Sequence, residues 1–224
     1  MPMIGEKQYL EIKAQIEYQE NETPSVLFEK LNRSQISLEE KVEFVLQRYG
    51  WSSSTRRVSV ELEKAHKAQY PFFPAGEQFI EHFDGLIFPS KGLASKYGSH
   101  ILTKFSWNPS LMEGVTHHFQ DRVVYIGVER SFEGYEENPI NCWENISISP
   151  DVIDYDFVDL YLGESGKVYW HCYDGDTLGI AANNILEYFS IKFSFIDDSN
   201  RLVQQSVWTD SDLQVMREAK RIYR

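Results

Sequence analysis

His117 and His118, with Asp121 three residues further on, form the one local cluster of metal-ligand types in the 224 residues. A zinc site needs three or four ligands converging on one point. Adjacent histidines point to opposite faces of a strand and diverge by about 100° on a helix. Neither an H-E-x-x-H helix nor paired C-x-x-C motifs supply the missing ligands. The cluster therefore reads as a solvated loop, and no metal is expected. Cys172 stands beside His171, but neighbours on a strand face opposite ways and cannot act as nucleophile and base. Their plain reading is a small buried hydrophobe next to a surface histidine. The nucleophile elbow G-x-S-x-G, the phosphate-binding Walker loop and the dinucleotide fingerprint G-x-G-x-x-G are all missing from the sequence. Acids are numerous enough for a glycosidase-like carboxylate pair, a pairing that only spatial separation could establish. Hydrolysis is thus the weakest of three functional readings, and no catalytic residue and no cofactor is expected.

Binding fits the residues better. Aromatic side chains adjoin acids at Tyr135-Glu136-Glu137, Trp143-Glu144, Tyr155-Asp156 and Tyr173-Asp174-Gly175-Asp176. Carboxylates speed encounter with a basic partner, and aromatic anchors slow its departure. The formal charge of −12, from 22 Lys and Arg against 34 Asp and Glu, opposes nucleic acid and anionic membranes as ligands. Between Pro150 and Glu187 eight acids face one base, Lys167, whereas Arg217, Lys220, Arg221 and Arg224 make the C-terminus basic. Glu136, Glu137, Asp174 and Asp176 are the acids expected to meet the partner. Two cysteines, Cys142 and Cys172, cannot build a disulfide framework. The opening Met-Pro-Met-Ile-Gly-Glu-Lys lacks the pattern of a signal peptide, and no run of about 18 apolar residues could span a bilayer. A cytoplasmic location is expected.

These side chains need a scaffold, and hydrophobic spacing sketches one. Tyr9, Ile12 and Ile16 recur at helical intervals within 5–19, a helix that Asn21-Glu22-Thr23-Pro24 ends. Ser37 and Glu40 have the spacing of a capping box for a helix with Leu38, Val42, Val45 and Leu46 inward, stopping at Gly50. The stretch 58–70 reads as a strand end passing into a helix closed by Pro71, and 75–84 as a helix with Phe79, Ile80 and Phe83 on one side, closed by Gly85. Strands are expected from Leu86, over 101–107 and over 122–128, with Asn108-Pro109 as a loop. The clearest hairpin joins 157–162 to 167–173 through Gly163-Glu164-Ser165-Gly166, with one face packed and the other wet. Helices follow over 181–189 and 210–223, the latter with Leu213 and Met216 inward.

Tyr49-Gly50-Trp51, then Arg56-Arg57-Val58, then Phe79-Ile80-x-x-Phe83-Asp84-Gly85-Leu86 resemble the opening motifs of the SUKH superfamily, in particular its third family of bacterial immunity proteins. Leu160-Tyr161-Leu162-Gly163-Glu164-Ser165-Gly166-Lys167-Val168-Tyr169, then Leu178-Gly179 and Ile185-Leu186, are similar to that family's later strands and closing helix. The likeness covers about Leu38 to Lys192, roughly two thirds of the chain. Asp84 stands where the family often has glycine, 90–128 matches poorly, and the terminal helices fall outside the family core. The resemblance implies an α+β fold, a mostly antiparallel sheet with helices packed on it. It divides the chain into an N-terminal helical extension (1–36), a SUKH-like domain (37–196) and a C-terminal basic helix (197–224). It also implies a non-enzymatic role: stoichiometric binding of a cognate toxin delivered by neighbouring bacteria, often a basic nuclease domain. Trp51 and Asp84, in the family-matched segments, join the expected partner contacts. The alternative is a regulatory or adaptor module, since the same superfamily resembles eukaryotic scaffold-type proteins.

Overall fold

The computed structural model of the chain describes residues 4–91, 98–132, 154–173, 176–197 and 205–223. Helices α1 (Glu6–Gln15), α2 (Pro24–Arg33), α3 (Leu38–Arg48), α4 (Val60–Lys67) and α5 (Pro74–Phe83) precede strands β1 (Leu86–Lys91) and β2 (Gly98–Thr103). Helix α6 (Pro109–Phe119) leads into β3 (Val123–Phe132), β4 (Asp154–Gly163), β5 (Val168–Cys172) and β6 (Thr177–Ala182). Helix α7 (Ile185–Lys192), β7 (Gln205–Val207) and α8 (Asp210–Ile222) complete the order. The fold is α+β: the seven strands form one sheet in the order β1-β2-β3-β4-β5-β6-β7, each described pairing antiparallel.

Local chemistry explains the boundaries. Ser37 Oγ accepts from Glu40 N–H while the Glu40 carboxylate accepts from Ser37 N–H, the capping box expected for α3. Gly50 (φ 89°) and Gly85 (φ 81°) take the left-handed turns that follow α3 and α5. Three segments differ from expectation. Thr23-Pro24 begins a helix instead of ending one, because Thr23 caps α2 and Pro24 fills its first turn, where no N–H is needed. Asn108-Pro109 does the same for α6, placed where a loop was expected. Val58 is exposed and belongs to no strand. Two boundaries also move. β2 stops at Thr103, short of Trp107, and Ala181-Ala182 close β6 so that α7 starts only after its cap, Asn184.

The core lies on both faces of the sheet. On one, Gly76 of α5 packs against Val124 so closely that a Cβ there would fall 2.8 Å from it. Phe83 of α5 meets Phe88 of β1 and Phe189 of α7, at 6.2 and 5.9 Å between ring centroids. On the other face Phe119 of α6 stacks on Tyr169 of β5 at 4.3 Å, and α8 lies along α6, with Met216 against Gly114. This second layer corrects the expectation that one face of the β4–β5 hairpin is wet: Asp159 and Tyr161 on that face are buried. The first helix and its C-terminal cap reach this interior through Ile12 and Ile16, and Tyr223, just beyond the last helix, packs against the same core.

Candidate functional site

The expected contact residues do not form one cluster. Trp51 is 6% exposed and stacks on Phe83 at 5.6 Å, so its ring is part of the core. Asp84 is half-buried, and its carboxylate accepts the Phe105 N–H at 2.6 Å, tying the end of α5 to the segment after β2. Glu136, Glu137 and Asp174 lie outside the described residues. Asp176 is exposed in the turn between β5 and β6, with φ 49° and its N–H bonded to Tyr173 O.

That turn is the outer corner of a buried polar cluster. Asp159 and His171 are direct cross-strand partners of β4 and β5, and strand alternation puts Tyr161, His171 and Tyr173 on the same face. The Asp159 carboxylate accepts from Tyr125 Oη at 3.1 Å and Tyr173 Oη at 2.8 Å. Burial pushes its pKa up, against the opposing pull of these hydroxyls. His171 is 1% exposed, and among the described residues neither ring nitrogen has a hydrogen-bond partner. Burial pushes its pKa down, favouring the neutral ring, which packs between Tyr173 (4.5 Å) and Trp208 (5.2 Å). Burial likewise pushes Tyr173 up, so its hydroxyl keeps its proton and donates to Asp159. Tyr173 is 43% exposed, so an aromatic ring anchored at its hydroxyl reaches solvent directly beside Asp176.

A second polar knot fixes the layer behind this corner. His117 and His118 sit on α6, not in a solvated loop, and both turn to Asp212 of α8: Nδ1 to Oδ1 at 2.6 Å and Nδ1 to Oδ2 at 2.8 Å. The two oxygens of one carboxylate serve the two diverging rings. Asp212 also accepts from the amide and hydroxyl of Thr209, closing a capping box for α8. Burial would raise its pKa, but the four donors hold it well below the usual carboxylate range. Ionised Asp212 is an acceptor only, so each histidine presents Nδ1–H to it. His118 Nε2 meets Ser206 Oγ at 2.7 Å, which ties β7 into the same knot. Among the described residues no three His, Cys, Asp or Glu side chains converge to hold a metal, and no helix is long and apolar enough to cross a membrane.

Sequence reasoning named Tyr173 only as one of several aromatics beside acids and missed Asp159 and the knot at Asp212. Their contacts join segments far apart in the chain, and local spacing carries no trace of them. Comparison with protein-family models, curated proteins and solved structures finds no match to this chain.

Proposed function

We propose that the protein is an immunity-type binding protein that neutralises a cognate basic toxin domain, such as a nuclease, by stoichiometric contact. The observation that carries this reading is the corner where half-exposed Tyr173, held at its hydroxyl by buried Asp159, stands beside exposed Asp176. A fixed aromatic anchor loses little entropy on binding, and the adjoining carboxylate complements a positive partner. The formal charge of −12 extends that attraction over the encounter distance. On sequence grounds Glu136, Glu137 and Asp174 are further acids expected to meet the partner. Trp51 and Asp84 are engaged within the fold and are left out of it. The resemblance of the Gly50-Trp51 and Leu160–Tyr169 segments to SUKH immunity proteins supports the same role.

The test looks for a basic polypeptide encoded beside this reading frame, whose absence counts against the proposal, and takes it as the partner. Association is followed at rising salt for the wild-type chain and for Asp176→Lys. The reversed charge lowers the association rate about tenfold at low salt and flattens its salt dependence. Unchanged rates and an unchanged salt slope sink the proposal.

A further inference from the structure

The sheet ends on two unlike edges. β1 carries Pro89 and Lys91, residue types that discourage a new strand from pairing. β7 is Gln205-Ser206-Val207, with neither proline nor charge, and its pairing with β6 runs without a register shift. No described strand pairs with its other side. Alternation turns Ser206 toward α6, where it meets His118, and leaves Gln205 and Val207 on the opposite face. There Val158, Cys172, Thr177 and Val207 form one cross-strand row over four strands. The first three are half-buried, while Val207 is 59% exposed.

Among the described residues, exposed acids flank this edge. Exposed Asp176 directly precedes Thr177, the partner of Val207, and exposed Asp210 opens α8 three residues beyond Val207. Residues 176–191 and 205–216 contain no lysine or arginine. A second copy of the chain would bring Asp176 and Asp210 against like charges, which favours a basic occupant over self-pairing.

We infer that β7 is a docking edge for an extended basic segment of a partner polypeptide, which adds to the sheet as a further strand. The partner's backbone pairs with Gln205–Val207, an apolar side chain covers Val207, and Lys or Arg side chains reach Asp176 and Asp210. This rests on the binding reading above and supplies its mode of attachment. Three residues span only about 10 Å, so backbone pairing by itself is weak and the added strand depends on charge.

The test titrates the full-length, isotope-labelled protein with a capped octapeptide of alternating Lys and Val, using alternating Glu and Val as control. Amide shifts and slowed hydrogen exchange are expected at 205–207 with the Lys peptide alone, fading as salt rises. Val207→Lys weakens binding at least about tenfold, whereas Val207→Glu, an equal disturbance of the exposed site, keeps it within about threefold. Shifts centred elsewhere, equal binding of the Glu peptide, or equal effects of the two variants overturn the inference. Dimerisation through β7 in sedimentation overturns it as well. Peptide binding at Tyr173 and Asp176 without protection of 205–207 overturns strand addition alone, because the corner reading stands or falls on the Asp176→Lys salt slope.

Discussion

Replacing Asp212 with Asn changes the charge of a side chain 1% exposed while keeping its shape. The carboxylate accepts from His117, His118, Thr209 N–H and Thr209 Oγ1. An amide can face only some of these donors with oxygen, so its NH2 group opposes a histidine N–H or the helix cap. A hydrogen bond to a charged group contributes about 1.5–3 kcal/mol, and a buried donor left unpaired costs about 1–3 kcal/mol. Loss of a helix cap costs about 1 kcal/mol. These effects share one group and do not add, so the expected loss is about 3–5 kcal/mol, measured by urea unfolding. Asp210→Asn is the control: Asp210 is exposed on the same turn and should change stability by less than about 0.5 kcal/mol. The pH dependence has a definite sign. Because the folded pKa of Asp212 lies below the ordinary 3.8, its contribution is complete above that value and is lost as pH falls below it. The gap between wild type and Asp212→Asn therefore narrows on acidification below about pH 4. An Asp212→Asn loss under about 1 kcal/mol at pH 7, or equal to that of Asp210→Asn, would show that the knot does not hold α8.

Burial pushes His100 of β2 down to about 4 from 6.5, so the stability that depends on its neutral form is present above pH 6.5 and is lost as pH falls toward 4. At about 1.4 kcal/mol per unit this amounts to as much as about 3 kcal/mol. His100→Phe should flatten urea stability between pH 6.5 and 4, and an unchanged slope contradicts the assignment. At Gly127 (φ 144°) a Cβ would fall 2.2 Å from Leu102 O, a backbone atom that cannot swing away. Gly127→Ala should lower stability by about 2–4 kcal/mol, and a thermal midpoint within about 2 °C of wild type would refute the close approach of β3 to β2.

Legibility in the sequence followed the range of the physics. The Ser37–Glu40 box and the β4–β5 hairpin rest on contacts within a few residues, and both appear where spacing put them. Thr23-Pro24 and Asn108-Pro109 were misread for a reason that is also local. A capping residue followed by proline suits both a turn and a first helical turn, and only the apolar residues that follow, such as Leu27, Leu31, Met112 and Val115, decide between them. The layer formed by α6 and α8 was illegible because its central contact, His117 to Asp212, spans 95 residues. Without that layer, Asp159 and Tyr161 take the wet side of an ordinary two-faced hairpin. Trp51 shows the same limit from the other direction, since an aromatic beside polar residues reads equally as anchor or as core.

The charge count needs the same spatial correction before it says anything about a partner. Glu43, Glu129, Asp159 and Asp212 are nearly fully buried, and each is taken up inside the fold. Ile4 N–H donates to Glu43, Lys192 pairs with Glu129 at 2.6 Å, tyrosines hold Asp159 and histidines hold Asp212. Other acids are matched at the surface, as Glu164 is by Arg122. A carboxylate already engaged with a cation attracts a basic partner weakly, so steering falls to acids without a local base. Among the described residues Asp176 forms no ion pair: it is exposed, no lysine or arginine stands between it and Lys192 in the chain, and a fixed aromatic ring lies beside it. Reversing Asp176 should therefore change association more than reversing Glu164, although both alter the net charge equally. Equal effects would mean that total charge, not this corner, governs encounter.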